Sequence, residues 1–252
     1  MTPSYAVITI CLNAGRTIAD TVGSVLSQTP APARYIFVDG GSQDDTLARI
    51  QEACAGSPAA ARVPILIETQ SPVPRAAGIP AAWNQALRAI THEEVVFILN
   101  ADDWYEPDAA ATVLNVLAED PAADIVLTPI VYREAPGRPI LRRQAPCSLR
   151  WLPVLMPLPH PGCFVRRRVY DRLGLFSEDY SISADYDFIY RAARAGCRFH
   201  RLNRPLVSMR PGGLAHRRLA LARRETFRIA RRHGAGILLP GTAFLGRWLL
   251  NR

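Results

Sequence analysis

Apolar positions along this chain follow two rhythms that alternate through its first half. Short apolar runs at Ala6–Leu12, Tyr35–Val38, Ile65–Glu68 and Val95–Leu99 read as buried strands. Between them, apolar residues recur three and four apart. Thr17 and Asp20 form an [ST]-x-x-[DE] helix start, after which Ile18, Val22, Val25 and Leu26 share one face until Pro30 and Pro32 end the helix. A second helix carries Leu47 and Ile50, and a third, opened by Pro80, carries Leu87 and Ile90. Strand and helix alternating at this pace predict βαβ units and a parallel sheet.

After Leu117 the rhythm changes. Ile125–Tyr132 reads as one or two strands, and 136–161 is a long Pro- and Arg-rich segment without clean periodicity, of the kind that forms lids and binding loops. Helices are expected over Arg166–Leu173, Ala184–Ala195 (stopped by Gly196) and His216–His233, with short strands at Phe199–Leu202 and Leu206–Met209. There is no internal repeat. The organisation is one α/β unit over 1–213, with a nucleotide-type half at 1–120 and a less regular half at 121–213, followed by a basic amphipathic tail at 214–252.

Composition narrows the class. A chain of 252 residues with 49% hydrophobic and 21% charged residues can bury a sizeable core and is not a disordered polymer. Its net charge is +8, carried entirely by arginine because there is no lysine. Arginine's planar fork suits oxyanions. Five scattered cysteines without a CxxC pair argue for reduced core thiols in a cytosol rather than a disulfide or zinc framework. No signal peptide or membrane-spanning segment is expected.

Three constellations can carry chemistry. Val95–Leu99 runs directly into Asn100-Ala101-Asp102-Asp103-Trp104. Two adjacent carboxylates at the carboxyl end of a parallel strand sit where ligands gather, and a divalent cation would offset their repulsion; the bland alternative is an Asp-rich turn capping the next helix. Asp39-Gly40-Gly41-Ser42 leaves the second strand at the same edge, either as a ligand loop or as a plain strand-to-helix turn. It is neither GxGxxG nor a P-loop, which disfavours a dinucleotide enzyme and a P-loop NTPase. Ser183-Ala184-Asp185-Tyr186-Asp187 opens a helix, so its carboxylates are either caps or a general base, and at most one of the pair can serve as the base because residues two apart do not share a face. His160 between Pro159 and Pro161 is either a metal ligand or substrate contact, or an exposed bystander. The Arg-rich segment after His216 reads as a solvated face dense enough to meet anionic lipid. Nucleic acid is not expected, since no recognition module accompanies the charge.

Taken in order, these motifs resemble family 2 glycosyltransferases of the GT-A fold, of the type used in bacterial surface-polysaccharide assembly. The resemblance runs from about Tyr5 to Gly213. It rests on the first strand ending at Asn13, on Ser24-Val25-Leu26-Ser27-Gln28-Thr29, and on Tyr35–Thr46 with its Asp39-Gly40-Gly41-Ser42. It continues through Leu99–Tyr105, His160-Pro161 and Ser183–Phe188. The resemblance implies a single Rossmann-like domain that moves a sugar, with inversion, from a nucleotide-diphosphate sugar to an acceptor hydroxyl, assisted by Mg²⁺ or Mn²⁺. It implies Asp185 as the general base and Asp103 as the metal ligand. Asn13, Asp39, Gly40, Arg75 and Asp102 would lie at the nucleotide-sugar, and His160 at the acceptor or the metal. A saccharide or lipid-linked saccharide acceptor, a cytoplasmic location and peripheral attachment to the inner face of an anionic membrane follow as expectations. A catalytically inactive nucleotide-sugar-binding subunit of the same fold is the alternative. One departure concerns the donor pocket: Gly78-Ile79-Pro80-Ala81-Ala82-Trp83-Asn84-Gln85 lacks the acidic residue and the lysine that many relatives carry there.

Overall fold

The apolar runs become strands because both faces of the sheet they form are covered. A computed structural model describes residues 2–71, 78–213 and 218–234. In it β1 (Tyr5–Cys11), β2 (Arg34–Asp39), β3 (Ile65–Thr69) and β4 (Val95–Ile98) pair in parallel. Ile8 stands level with Ile36 on one side and Ile98 on the other, so these strands deliver their carboxyl ends to one edge. Neighbours along β1 alternate between two cores. Tyr5 and Val7 face α1 (Ile18–Leu26), α2 (Thr46–Ala55) and, further along the chain, α4 (Ala109–Glu119). Ala6 and Ile8 face the core shared by α3 (Ile79–Ala89), α5 (Arg167–Leu173), α6 (Ala184–Arg194) and α7 (Leu219–Arg232).

The second half holds the differences from the pattern reading. Trp104–Tyr105 forms a short strand, β5, directly after the acidic stretch. The Ile125–Tyr132 run splits into β6 (Ile125–Leu127) and β7 (Ile130–Tyr132), which belong to different sheets. The segment read as irregular contains β8 (Arg142–Gln144), paired antiparallel to β7. The helix expected from Arg166 begins one residue later, because Cys163–Arg166 is a strand, β9. With β10 (Phe199–Arg201) and β11 (Val207–Met209), the strand orders are β10-β6-β9-β4-β1-β2-β3 and β5-β11-β7-β8.

The direction of β9 matters most. It lies between β6 and β4 and runs antiparallel to both. A reversed strand starts where its neighbours end, so His160-Pro161-Gly162, a 3-10 turn immediately before it, arrives at the same edge as the strand ends of the first half. Gly162 is required there: a Cβ would stand 2.4 Å from the Thr128 carbonyl oxygen. Among the described residues, no helix is long and apolar enough to cross a membrane.

Candidate active site

The acidic loop is held from beneath by one stripe of α1. Thr17, Thr21, Ser24 and Gln28 are spaced four, three and four apart, which places them along one helix face. The Thr17 hydroxyl donates to the Ala101 carbonyl at 2.9 Å and the Thr21 hydroxyl to the Asp103 carbonyl at 2.7 Å. Ser24 Oγ accepts from the Tyr105 N–H at 3.1 Å. Gln28 donates to the Glu106 carbonyl at 3.2 Å and accepts from the Ala110 N–H at 2.9 Å. Thr17 therefore marks the helix start by position, but its side chain makes no cap bond and serves the loop instead. From above, Arg210, just beyond β11, donates to the Asp102 carbonyl at 2.7 Å, pairs with Asp20 and lies 4.9 Å over the Trp104 ring. Replacing Thr21 by the isosteric valine strands the buried Asp103 carbonyl. We expect a loss of about 1–3 kcal/mol of stability in denaturant titration; an unchanged midpoint would show that the stripe does not hold the loop.

Asp103 is fully buried. One carboxylate oxygen accepts from Asn100 Nδ2 at 3.0 Å, while Oδ1 has no hydrogen-bond partner. Burial, reinforced by the neighbouring Asp102 charge, pushes its carboxyl well above the usual carboxylate range. Asp102 beside it is partly exposed. Among the described residues no three His, Cys, Asp or Glu side chains converge as a protein cage for a cation. An orphaned buried oxygen next to a second carboxylate nevertheless fits an ion of the magnesium type, which takes one or two carboxylates and completes its shell with phosphate and water.

Two strands away, Asp39 is buried, and its carboxylate shapes its own loop. It accepts from the N–H groups of Gly41 and Ser42 at 3.0 and 2.9 Å and from the Ser42 hydroxyl at 2.5 Å. Gly41 takes φ +89°, a left-handed conformation that favours glycine. Asn13, itself at φ 51°, accepts from the Gln43 N–H at 2.8 Å and donates its own N–H to Ser42 Oγ at 2.8 Å. The turn after β1 and the loop after β2 are thus tied together, with Gly40 between them donating its N–H to the Cys11 carbonyl at 2.8 Å.

The second half brings His160 to this edge, in the turn before β9. Continuing the β4–β9 register places Cys163 opposite Ile98, two residues before Asn100. The Asp185 charge acts on the Cys163 thiol, which burial already raises. Asp185 stands in the first turn of α6, with Oδ1 accepting from the Tyr186 N–H at 2.8 Å. Burial raises its carboxyl to about 6, with a smaller push from Glu225 on α7. Asp187 is spent differently: it pairs with Arg191 at 2.8 Å and meets His233 at 3.0 Å. The two acids thus have different surroundings: Asp187 is held by Arg191 and His233, Asp185 by the Tyr186 N–H.

His160 corrects the reading of an exposed bystander. Its ring packs 4.9 Å from Trp83 and 5.9 Å from Phe176, and burial lowers its pKa to about 4, so it is a neutral imidazole at neutral pH. Glu225 and the α1 stripe were missed by the sequence reading, although the 17-21-24-28 spacing was there to be read. Arg75, His216 and the tail from 235 onward lie outside the described residues.

An α/β/α sandwich whose parallel strands deliver acidic loops to one edge, flanked by a reversed strand, is the GT-A arrangement. The family model "Glycosyl transferase family 2" matches residues 6–182, and the chain belongs to that family. It is 26% identical over 191 residues to a PGL/p-HBAD biosynthesis glycosyltransferase of Mycobacterium bovis, covering 75% of this chain and 69% of the relative. It is 28% identical over 207 residues to the succinoglycan biosynthesis protein ExoU of Rhizobium meliloti, covering 74% and 56%. Among solved structures, S. aureus TarS 1-349 in complex with UDP superposes at a TM-score of 0.67 with 17% identity, over 98% of this chain and 70% of that one. Glucosyl-3-phosphoglycerate synthase of Mycobacterium tuberculosis, in complex with Mn²⁺, UDP and phosphoglyceric acid, gives 0.63 with 16% identity over 93% and 80%. The match spans 38% of the longer TarS chain. The family match ends at residue 182, so Asp185 and α7 lie beyond it.

Proposed function

We propose that this glycosyltransferase moves a sugar, with inversion, from a nucleotide-diphosphate sugar to the hydroxyl of a saccharide or lipid-linked saccharide in cell-surface polysaccharide synthesis. The reading rests on the Asp39 loop and the Asp102–Asp103 pair leaving parallel strands at one sheet edge, with Asp185 in the first turn of α6, where its charge acts on the Cys163 thiol of β9. The names of the relatives, in PGL/p-HBAD and succinoglycan biosynthesis, support the substrate class. The solved neighbours that hold UDP or GDP-Man support a nucleotide-sugar donor.

In this mechanism the nucleotide is bound through Asn13, Asp39, Gly40 and Asp102, and the family resemblance adds Arg75. Asp102 and Asp103 would hold a Mg²⁺ or Mn²⁺ ion, which supplies neutralising charge for the diphosphate. Asp185 accepts the proton of the acceptor hydroxyl as its oxygen bonds to the anomeric carbon. The bond from that carbon to the diphosphate oxygen breaks on the opposite ring face, and the nucleoside diphosphate departs. His160, neutral and at the same edge, lines the acceptor side.

The full chain should release nucleoside diphosphate from one member of a panel of nucleotide-sugars when a saccharide acceptor and Mn²⁺ are present, and the product should carry the opposite anomeric configuration by NMR. Retained configuration would overturn the single-displacement reading. Binding without release across donors and acceptors would favour an inactive subunit that kept the fold.

A further inference from the structure

The Arg-rich helix α7 is bolted to α6 by its acidic residue, not by its arginines. Glu225 is buried, at 3% exposure, amid a helix otherwise dominated by Arg223, Arg224, Arg228, Arg231 and Arg232. Its carboxylate accepts three backbone N–H groups from the residues that lead into α6: Ser181 at 2.7 Å, Ile182 at 2.9 Å and Ser183 at 2.9 Å. Ser183 occupies the N-cap position of α6, yet its hydroxyl makes no cap bond there and donates instead to the Ala222 carbonyl of α7 at 3.2 Å. The usual local cap is therefore absent, and a carboxylate from another helix takes over the donors that precede Asp185.

A second attachment keeps α7 in register. His233, at its far end, meets Asp187 at 3.0 Å and stacks on Tyr190 with ring centroids 4.5 Å apart. Arg194 donates to the His233 carbonyl at 2.9 Å. Ile229, between the two attachments, is buried in the α6 core. Eight residues of helix separate Glu225 from His233, a span of about 12 Å, so two points fix both the position and the direction of α7 against α6.

We propose that Glu225 is a positioning residue for the catalytic base: by holding the 181–183 backbone it sets where the first turn of α6 presents Asp185 to the acceptor hydroxyl. The proposal rests on the reading of Asp185 as base. A carboxylate taking three N–H groups is a stronger tether than a serine cap, because its hydrogen bonds are charge-assisted. A displacement of about 1 Å at a reacting group costs about 10²-fold in rate, which is the scale on which such a tether matters. The helix thus belongs to the working enzyme rather than to a detachable basic tail, and a deletion from residue 215 would remove the tether along with the arginines.

The test uses the full chain with Glu225→Ala, Glu225→Gln and, in parallel, Asp185→Asn. We expect Glu225→Ala to lower kcat by about 10²-fold and Glu225→Gln, which keeps one acceptor oxygen, by less. KM for the donor, and the thermal stabilisation by UDP or GDP with Mn²⁺, should stay at wild-type values, because the donor loops stand on other elements. The pH profile separates positioning from mere folding support. Burial raises the Asp185 carboxyl, the Tyr186 and Asp185 N–H groups lower it, and the Glu225 charge of α7 raises it further; loss of the Glu225 charge should move the acid limb of kcat to lower pH in Glu225→Gln. Should Glu225→Ala not fold, the Gln variant decides alone. Unchanged kcat, or a fall in kcat matched by loss of donor binding with the acid limb in place, overturns the proposal. Full turnover in Asp185→Asn would instead reject the base assignment, a separate failure.

Discussion

Asp185→Asn should lose about 10²–10⁴-fold in kcat while binding the nucleotide-sugar as tightly as the parent. The substitution keeps the size of the side chain and its acceptor for the Tyr186 N–H, so the first turn of α6 remains in place. What disappears is an oxygen able to take a proton. The pH dependence gives the same residue a second signature. Burial is the main cause of the rise of its carboxyl to about 6. A base works only when ionised, so kcat should climb as pH rises through about 6 and then level. The folding consequence has the opposite sign. A carboxyl raised by folding gives its full stabilisation below the unfolded value and loses it as pH rises through the folded one, so ionising Asp185 at neutral pH costs stability. Asp185→Asn should therefore fold at least as stably as the parent at pH 7 and show no acid limb in its residual rate. Stopped kinetics and a denaturant titration at two pH values check both, and wild-type turnover in the variant would remove Asp185 from the mechanism.

Much of the first half is legible in the sequence because its signals are local. Continuous apolar runs such as Val95–Leu99 need no partner to be recognised, and the residues that follow them fall at a strand's carboxyl end by chain direction alone. The second half resisted for physical reasons. β5 and β8 are two and three residues long, shorter than any period can register, and exist through pairing with β11 and β7. β9 is four residues long, set between a proline-rich stretch and a helix, and only its last residue, Arg166, is read from the sequence, as the helix start. His160 looked exposed because its packing partners, Trp83 and Phe176, come from distant parts of the chain. Glu225 was hidden by composition: among so many arginines, one acid reads as solvent charge. Its helical spacing from buried Ile229 was the available clue.

Asp103→Ala should reduce transfer by about 10³-fold or more, because in the proposed mechanism the ion that neutralises the leaving diphosphate depends on this carboxylate. The physical case begins with an imbalance. A fully buried carboxylate with one oxygen unpartnered is costly by itself, and the α1 stripe invests several hydrogen bonds in keeping the surrounding loop where it is. Such an arrangement is understandable when a cation completes it. The isosteric Asp103→Asn distinguishes this from a structural role. Without metal it should be no less stable than the parent, since a neutral amide relieves the buried charge while still offering an oxygen to Asn100. With UDP or GDP and Mn²⁺ the parent should gain thermal stability, as any ligand that binds only the native state requires, and the variant should gain almost none. If the variant kept the Mn²⁺-dependent gain and transferred sugar, the ion would have to be held elsewhere, and Asp102 alone would be left to hold it at this edge.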